Sequence, residues 1–347
     1  MFKETFLTLG KIFNAAATDS QLEGYELEVN NLKDIIVNYH NFNGWFSEMF
    51  VKMQLKSLSE MLNENDLELF EKKYNSNSLS DKKIKIVPAG NIPLVCFHDI
   101  FCVLSSGKKL VIKFSQKDRL LPFSVCEILK KINPELSDRI LEEKDERIVF
   151  DGIIATGSNN TSRYFEYYFS KYPHIIRRNR NSLAVLSGQE TKEDFKKLGE
   201  DIFAYYGLGC RSVKKIYVPE NYDFQEFFKN IVDFSWVINN QKYADNYDYN
   251  KAIYLMSDNK LLDNNFLLLK EDLSLSSPIG VLFYEKYSTK EELSQKLFPQ
   301  LEKIQCVISK DEIPEIKTVL PGSAQKPSLF DFADGVDTME FLKKSFS

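Results

Sequence analysis

The period of hydrophobic and polar positions changes along the chain. From residue 1 to about residue 78, apolar residues recur at spacings of three and four, as in LEVNNLKDIIVNYHNFNGWFSEMFVKMQLKSLSEML, which predicts amphipathic helices. The polar run NSNSLSDKK at 75–83 interrupts this pattern, and IKIVPAGNIPL then begins as a short strand that Pro88 stops. We interpret the first segment as a helical packing layer.

After this layer, strand-like and helix-like segments alternate. The predicted strands are IKIV, KLVIKFS and RIVFDGIIATGS, and the predicted helices are PLVCFHDIFCVLSSG, LPFSVCEILKKINPELSDRILEE and SRYFEYYFSKY. This alternation predicts a mostly parallel sheet with right-handed crossovers. Such sheets bind ligands where strand ends meet helix starts, so the segments that follow the strands are the first places to look for a site.

Four of these junctions carry residues with useful chemistry. Asn91 lies in a Gly-Asn-Xaa-Pro turn, Lys113 closes a strand, and Gly157 and Ser158 open a helix, where backbone N–H groups and the helix dipole favour phosphate. Cys210 lies between the glycine-rich bend YYGLG and an alternating run that predicts a strand. A cysteine at such a junction is either a small core residue or a nucleophile.

Composition narrows the class of protein. The chain has 347 residues, 43% of them hydrophobic and 27% charged, as in ordinary globular proteins, and its net charge of −5 argues against broad nucleic-acid binding. Five cysteines form no CxxC pair and leave one over in any disulfide scheme, which favours reduced thiols. Glu4 and Lys11 interrupt the apolar N-terminus, and no apolar run reaches the length of a membrane span, so we expect a cytoplasmic protein.

In their order, these junctions resemble the aldehyde dehydrogenase superfamily. GNIPL, IKFSQ, ATGSNNTSR and GLGCRSVKKIYV are similar to that family's Pro-Trp-Asn-Phe-Pro turn, Lys-Pro-Ser-Glu strand end, Thr-Gly-Ser helix start and Gly-Xaa-Cys nucleophile. SSPIGVLFYEKYSTKEEL resembles the segment after the family's cofactor-facing glutamate. GSAQKPSLFDFADGVDTMEFL resembles the C-terminus of bacterial fatty acyl-CoA reductases of the LuxC type. The resemblance covers roughly residues 84–346.

The resemblance implies an α/β fold with two parallel-sheet domains and an N-terminal helical layer. It implies a cofactor-binding domain over residues 1–182, completed by the C-terminal tail 321–347, and a catalytic thiol domain over 183–320.

The resemblance also implies roles for individual residues. Cys210 would be the nucleophile, and the Asn91 side chain with the Cys210 backbone N–H would form an oxyanion hole. Lys113 would hold the adenosine ribose. The cofactor-binding positions correspond here to Lys113, Ser115, Gln116, Gly157 and Ser158. Ser158 has an N-cap as its alternative role, and no metal site is expected.

Two departures from the family pattern refine the prediction. Arg177 falls where hydrolytic members carry the glutamate that activates water, and an arginine cannot act as a base. The remaining chemistry is transfer of an acyl group from a thioester to Cys210, followed by reduction to an aldehyde. Gln116 replaces a ribose-binding glutamate, and Lys117 and Arg119 follow it, so NADPH is favoured over NADH.

Several interpretations stay open at this stage. The run RRNR at 177–180 could dock CoA phosphates or be a solvated surface, and the ribose-binding glutamate of a later family segment is replaced near Ser277. His98 is expected to be a satisfied helix histidine, and His174 is a candidate proton donor.

The predicted function is NADPH-dependent reduction of an acyl-CoA or acyl-carrier-protein thioester to a fatty aldehyde, with a homodimer left open. The alternatives are a hydrolytic or acyl-phosphate-reducing relative, and a non-catalytic interaction protein that retains the fold.

Overall fold

The computed structural model describes residues 2–74, 79–144 and 148–346. The chain divides into two compact units. Unit 1 comprises Met1–Asn179 and Pro327–Ser347, and unit 2 comprises Arg180–Lys326. Each unit is built on its own largely parallel sheet, which confirms the predicted fold class.

Unit 1 begins with the predicted helical layer. Its helices are α1 (Phe2–Ala17), α2 (Glu26–Asn38), α3 (Glu48–Met61) and α4 (Glu64–Tyr74). The apolar stripe of α1 is buried, and two of its rings meet aromatic residues further along the chain: the Phe6 and Phe101 ring centroids are 4.7 Å apart, and those of Phe13 and Phe97 are 5.6 Å apart. Burial of each such ring is worth about 2–3 kcal/mol. The predicted positions 75–78 lie outside the described residues.

The sheet of unit 1 has five parallel strands. They are β1 (Lys83–Val87), β2 (Lys109–Ile112), β3 (Ile140–Glu142), β4 (Gly152–Thr156) and β5 (His174–Arg177), in the order β3-β2-β1-β4-β5. Helices α5 (Phe97–Ser105), α6 (Leu120–Ile132) and α7 (Asn159–Phe169) follow β1, β2 and β4. β1 and β2 are rich in buried aliphatic residues because a parallel sheet is covered on both faces.

The structure corrects one predicted helix. The run LPFSVCEILKKINPELSDRILEE, predicted as helical throughout, forms α6 only as far as Ile132, then a short 3₁₀ turn, Pro134–Leu136, and then β3. Pro134 disfavours helical backbone at Asn133, whose side chain instead accepts from the Glu135 N–H at 3.2 Å. The run RIVFDGIIATGS is predicted as one strand. Its first residue lies outside the described residues, and within the rest of the run β4 covers only Gly152–Thr156.

The sheet of unit 2 has seven strands. They are β6 (Asn181–Val185), β7 (Val213–Pro219), β8 (Leu261–Asp263), β9 (Leu268–Glu271), β10 (Val281–Tyr287), β11 (Ile304–Ser309) and β12 (Thr318–Val319), in the order β12-β11-β6-β7-β10-β9-β8. β8 pairs antiparallel with β9, and the other pairs are parallel.

The helices of unit 2 are α8 (Lys192–Phe203), α9 (Phe224–Asn230), α10 (Gln241–Met256) and α11 (Lys290–Leu297). The last helix of the chain, α12 (Thr338–Ser345), belongs to unit 1 and packs against α5. Across the described ranges, we find no helix with both the length and the apolar character needed to cross a bilayer.

Candidate functional site

The cofactor-binding residues predicted from the sequence gather at one edge of the unit 1 sheet. β1, β2 and β4 are parallel neighbours, so the segments that follow them leave the sheet at the same edge. These segments carry the predicted residues Asn91, Lys113, Ser115, Gln116, Gly157 and Ser158. This is the edge at which open parallel sheets bind ligands.

A β-turn over residues 115–118 follows β2. The Asp118 N–H donates to the Ser115 carbonyl at 3.2 Å, which leaves Gln116 and Lys117 exposed at the centre of the turn. The Ser115 hydroxyl accepts from the Lys117 N–H at 3.3 Å, so Ser115 stabilises the turn itself. Lys113, just after β2, is exposed. The side chains that this segment offers to a ligand are therefore Lys113, Gln116 and Lys117.

At the start of α7, the groups that could bind a ligand are mainly backbone N–H groups, not side chains. The Ser158 hydroxyl caps the helix by accepting from the Thr161 N–H at 3.2 Å, while the Gly157 N–H donates to the Arg177 carbonyl at 3.2 Å. A Cβ at Gly157 would lie 2.9 Å from the Thr161 Cβ, so the glycine lets the helix start close to the strand end. The groups suited to a phosphate here are the N–H groups of the first helical turn.

Asn91 lies in a tightly held loop, which we call the amide loop, residues 90–94. A Cβ at Gly90 would fall 2.3 Å from the Ser115 Oγ, so the loop packs directly against the turn of residues 115–118. Leu94 has a left-handed backbone, with φ of 53°, and its N–H donates to the Asp118 carboxylate at 2.7 Å. Asn91 itself is partly buried.

Asp118 and Tyr39 are two residues of this region that sequence reasoning missed. The Tyr39 hydroxyl donates to the second oxygen of Asp118 at 2.5 Å, and both side chains are almost fully buried. Burial raises the pKa of Asp118 to about 7, although the Tyr39 and Leu94 donors oppose this. An aspartate between two polar residues and a helix start has the pattern of an exposed turn residue, so the sequence carried no signal of its burial.

The five cysteines, all within the described residues, differ in their exposure to solvent. Cys210 is exposed, and the other four are buried. Burial raises the pKa of the Cys126 thiol to about 12, and it holds the pKa values of Cys96 and Cys102 well above the ordinary value. Because the thiolate is the reactive form, buried thiols of this kind react slowly. Exposure therefore singles out Cys210 as the candidate nucleophile.

The backbone that leads to Cys210 is strained. Tyr205, Tyr206 and Gly207 have φ values of 52°, 55° and 75°, and for the two tyrosines this left-handed conformation is unfavourable. Both tyrosines are buried, so packing holds the strained backbone in place. Strain of this type costs about 1–3 kcal/mol per residue and is concentrated at functional sites.

Hydrogen bonds fix the segment on both sides of Cys210. Cys210 lies in a β-turn over residues 209–212, directly before β7, and its carbonyl accepts from the buried Ser182 hydroxyl at 2.9 Å. The Ser212 hydroxyl donates to the Ala204 carbonyl at 3.3 Å. The next side chain, Arg211, donates to the Ala324 carbonyl at 3.3 Å. The turn thus presents an exposed thiol from a backbone that is anchored to its surroundings in unit 2.

The structure gives Arg177 a structural role in unit 1. Arg177 ends β5, is buried, and pairs with Asp99 of α5, while its second guanidinium nitrogen donates to the Thr338 hydroxyl at 3.1 Å. Burial would lower the pKa of Arg177, but the charge of Asp99 raises it above the ordinary value. Because Arg177 is buried, the interpretation of RRNR as a solvated surface run is wrong for this residue. The neighbouring Arg178 is exposed and pairs with Glu166.

His98 and His174 each lie within hydrogen-bond distance of a backbone carbonyl. The His98 ring lies 2.9 Å from the Leu329 carbonyl, in line with the expectation of a satisfied helix histidine, and the exposed His174 ring lies 2.8 Å from the Tyr172 carbonyl. Ser277 is buried and donates to the Val281 carbonyl at 2.7 Å, so it shapes the turn before β10. Within the part of the chain that the structure covers, no cluster of three His, Cys, Asp or Glu residues is arranged to hold a metal.

Several of the solved structures that resemble this chain are aldehyde dehydrogenases. No family model and no curated protein sequence matches the chain. Aldehyde dehydrogenase 21 from Physcomitrella patens, solved with its reaction product succinate, superposes with a TM-score of 0.62 at 14% identity, over 97% of this chain and 84% of that one.

Two further structures agree with this result. An NAD-dependent aldehyde dehydrogenase from Sinorhizobium meliloti has a TM-score of 0.62 at 10% identity, over 88% of this chain and 70% of that one. An NADP-dependent enzyme from E. coli has a TM-score of 0.63 at 10% identity, over 90% and 74%. The predicted aldehyde-dehydrogenase-like fold is therefore confirmed, and at these identities the likeness concerns the fold alone.

Proposed function

We propose that this protein reduces an acyl thioester, either an acyl-CoA or an acyl-carrier-protein thioester, to a fatty aldehyde through an acyl group held on Cys210. The observation that carries the proposal is the exposed Cys210, which lies in an anchored turn just after a strained backbone segment, in a chain with an aldehyde dehydrogenase fold. The similarity of the C-terminal segment to LuxC-type acyl-CoA reductases supports the choice of substrate.

The first half-reaction is acyl transfer to Cys210. The Cys210 thiolate attacks the thioester carbonyl, a bond forms between Sγ and the acyl carbon, and the bond from that carbon to the leaving sulfur breaks. The leaving thiolate takes up the proton that Cys210 gave to solvent, so the step is balanced. The family resemblance assigns the Asn91 amide to the carbonyl oxygen, where one hydrogen-bond donor is worth about 10²–10³ in rate.

The edge of the unit 1 sheet fits a nicotinamide dinucleotide phosphate. Lys113, Gln116 and Lys117 are exposed at the sheet edge from which α7 also starts, and the first-turn N–H groups of α7 suit a pyrophosphate. Gln116 brings no negative charge to the turn and Lys117 brings a positive one, so a 2′-phosphate is favoured there and we propose NADPH. When bound, the nicotinamide supplies the hydride that converts the acyl group on Cys210 to the aldehyde.

The position of the family's water-activating glutamate supports reduction over hydrolysis. By the family resemblance Arg177 falls at this position, and an arginine cannot take a proton from water. In the structure this arginine is paired with Asp99. Without a base, the acyl group on Cys210 should last until it is reduced. A hydrolytic relative would release it as a free acid, whereas an acyl-phosphate reductase would be loaded by acyl phosphates and not by acyl-CoA.

Labelling with radioactive acyl-CoA in the absence of NADPH tests the proposal. The parent protein should acquire label, Cys210→Ala should acquire none, and Cys126→Ala, which alters a buried thiol, should label like the parent. Asn91→Ala should label about 10²-fold more slowly. NADPH binding, followed by its fluorescence, should persist in Cys210→Ala.

Labelling of Cys210→Ala at the parent rate would refute the role of Cys210. A parent that takes label from neither an acyl-CoA nor an acyl-carrier-protein thioester would refute acyl transfer from thioesters. The acyl-phosphate-reducing and the non-catalytic interpretations would then remain, and labelling with an acyl phosphate would separate them.

A further inference from the structure

Asp118 joins three separate parts of unit 1. One carboxylate oxygen accepts from the Leu94 N–H in the amide loop at 2.7 Å, and the other accepts from the Tyr39 hydroxyl in the N-terminal layer at 2.5 Å. Asp118 itself ends the turn of residues 115–118. Because the Asp118 side chain is almost fully buried, water cannot replace either of its hydrogen bonds.

The bond to Leu94 holds an unfavourable backbone conformation. Leu94 is completely buried and has a left-handed φ of 53°, which a leucine adopts only when its surroundings impose it. Its N–H points to Asp118 and would be left without an acceptor if the carboxylate were removed. The amide loop therefore depends on Asp118 for its shape, and Asn91 lies three residues before Leu94 in that loop.

Two further contacts tie the same parts together. The Gly90 backbone packs against the Ser115 side chain, where a Cβ would leave no room. The Asn43 amide, also from the N-terminal layer, donates to the Lys117 carbonyl at 3.1 Å. The amide loop, the turn and the N-terminal layer consequently support one another, and Asp118 is the residue that contacts both the loop and the layer.

We propose that Asp118 is a positioning residue that fixes the amide loop, and with it Asn91, through its bond to the Leu94 N–H. The inference rests on the proposed function for the role of Asn91 in acyl transfer, but the positioning itself is a property of the fold. The N-terminal layer contributes to the site through Tyr39, in addition to its packing.

Substitutions at Asp118 separate hydrogen bonding from charge. Asp118→Ala removes both acceptors, whereas an asparagine can accept from the Leu94 N–H through its oxygen and donate to Tyr39 through its nitrogen. A displacement of about 1 Å at a reacting group can cost about 10²-fold in rate. We expect Asp118→Ala to slow acyl transfer to Cys210 by about 10²-fold without NADPH, and Asp118→Asn to stay within about threefold of the parent.

A second Tyr–Asp pair provides the matched control. The Tyr74 hydroxyl donates at 2.6 Å to Asp337, which caps α12, so Tyr74→Phe removes a similar bond between the N-terminal layer and another part of unit 1. Tyr74→Phe should leave acyl transfer unchanged. Hydrogen exchange of the peptide that contains Leu94, measured by mass spectrometry, should be faster in Asp118→Ala and unchanged in Asp118→Asn and Tyr74→Phe.

Hydrogen exchange keeps the two proposals distinguishable. If the parent shows no acyl transfer, the proposed function fails, and faster exchange at Leu94 in Asp118→Ala would still support the positioning role. If Asp118→Ala does not fold, Tyr39→Phe replaces it, and faster exchange at Leu94 is again the supporting result. The inference would be overturned if hydrogen exchange at Leu94 in Asp118→Ala matched that in the parent. If Asp118→Ala does not fold, the same result in Tyr39→Phe would overturn it.

Discussion

Removing the charge of Arg177 should strongly lower the denaturant concentration at which unit 1 unfolds. Arg177 and Asp99 form a buried ion pair in which both side chains are less than a tenth exposed. Arg177→Met leaves the Asp99 carboxylate buried without its counter-charge, which typically costs about 3–5 kcal/mol. With a urea dependence of about 2 kcal/mol/M, the unfolding midpoint should fall by about 2 M.

The two tryptophans allow the loss of stability to be measured in unit 1 alone. Trp45 lies in unit 1 and Trp236 in unit 2, so the variants are made in a Trp236→Phe chain, where fluorescence during urea unfolding reports unit 1. Arg178→Met is the control, because Arg178 forms an exposed pair with Glu166 and should cost about 1 kcal/mol or less. The pair of substitutions Arg177→Met and Asp99→Leu should recover most of the loss, since no buried charge is left unpaired.

A cost below about 1 kcal/mol for Arg177→Met would show that the pair does not stabilise unit 1 and would refute this assignment. The same geometry rules out Arg177→Glu as a way to install a hydrolytic base. It would place two carboxylates together in a buried site, so we expect unfolding rather than release of fatty acid.

Three other predictions test separate parts of the account. In the folded protein, iodoacetamide should modify Cys210 at least about tenfold faster than the four buried cysteines, as mapped by peptide mass spectrometry; equal rates would contradict the assigned exposure. Gln116→Glu should weaken NADPH binding by about tenfold and NADH binding far less, in fluorescence titrations, because a carboxylate repels the 2′-phosphate; an equal loss for both would argue against the NADPH assignment. Burial raises the pKa of Asp201 to about 7, whereas its value in the unfolded chain is near 4. The folded state therefore binds this proton more tightly, and unit 2 should lose stability as the pH rises from 4 to 7. Asp201→Asn should flatten this dependence, read by Trp236 in a Trp45→Phe chain, and an unchanged slope would remove Asp201 as its source.

The architecture was largely readable from the sequence because it depends on periodicity. The helical layer, the alternation of strands and helices in unit 1, and the strand after Cys210 follow from spacing alone, whereas the second parallel sheet was expected only from the family resemblance. β3 was missed because a strand of three residues after a helix and a proline has too few positions to show its own period. Its strand identity comes from pairing with β2, which is a tertiary effect.

The site was only partly readable for a related reason. The place of Lys113 at a strand end could be predicted because it follows from local order. The role of Lys113 and Gln116 in cofactor binding stays a prediction from the family resemblance. The pairing of Arg177 with Asp99, and of Asp118 with Tyr39, joins residues far apart in the chain, and nothing local in the sequence distinguishes a buried charge from an exposed one. The left-handed tyrosines before Cys210 could not be predicted either, because packing imposes a conformation that their own preference opposes.

The most direct test of the central claim is the fate of the acyl group when the parent protein is mixed with a long-chain acyl-CoA and no NADPH. Intact-mass and peptide mass spectrometry should show one acyl group per chain, on Cys210, that persists because no base activates water. Addition of NADPH should then discharge it as one equivalent of aldehyde. An acyl group found on another residue, or rapid release of free fatty acid before NADPH is added, would contradict the proposed acyl thioester reductase.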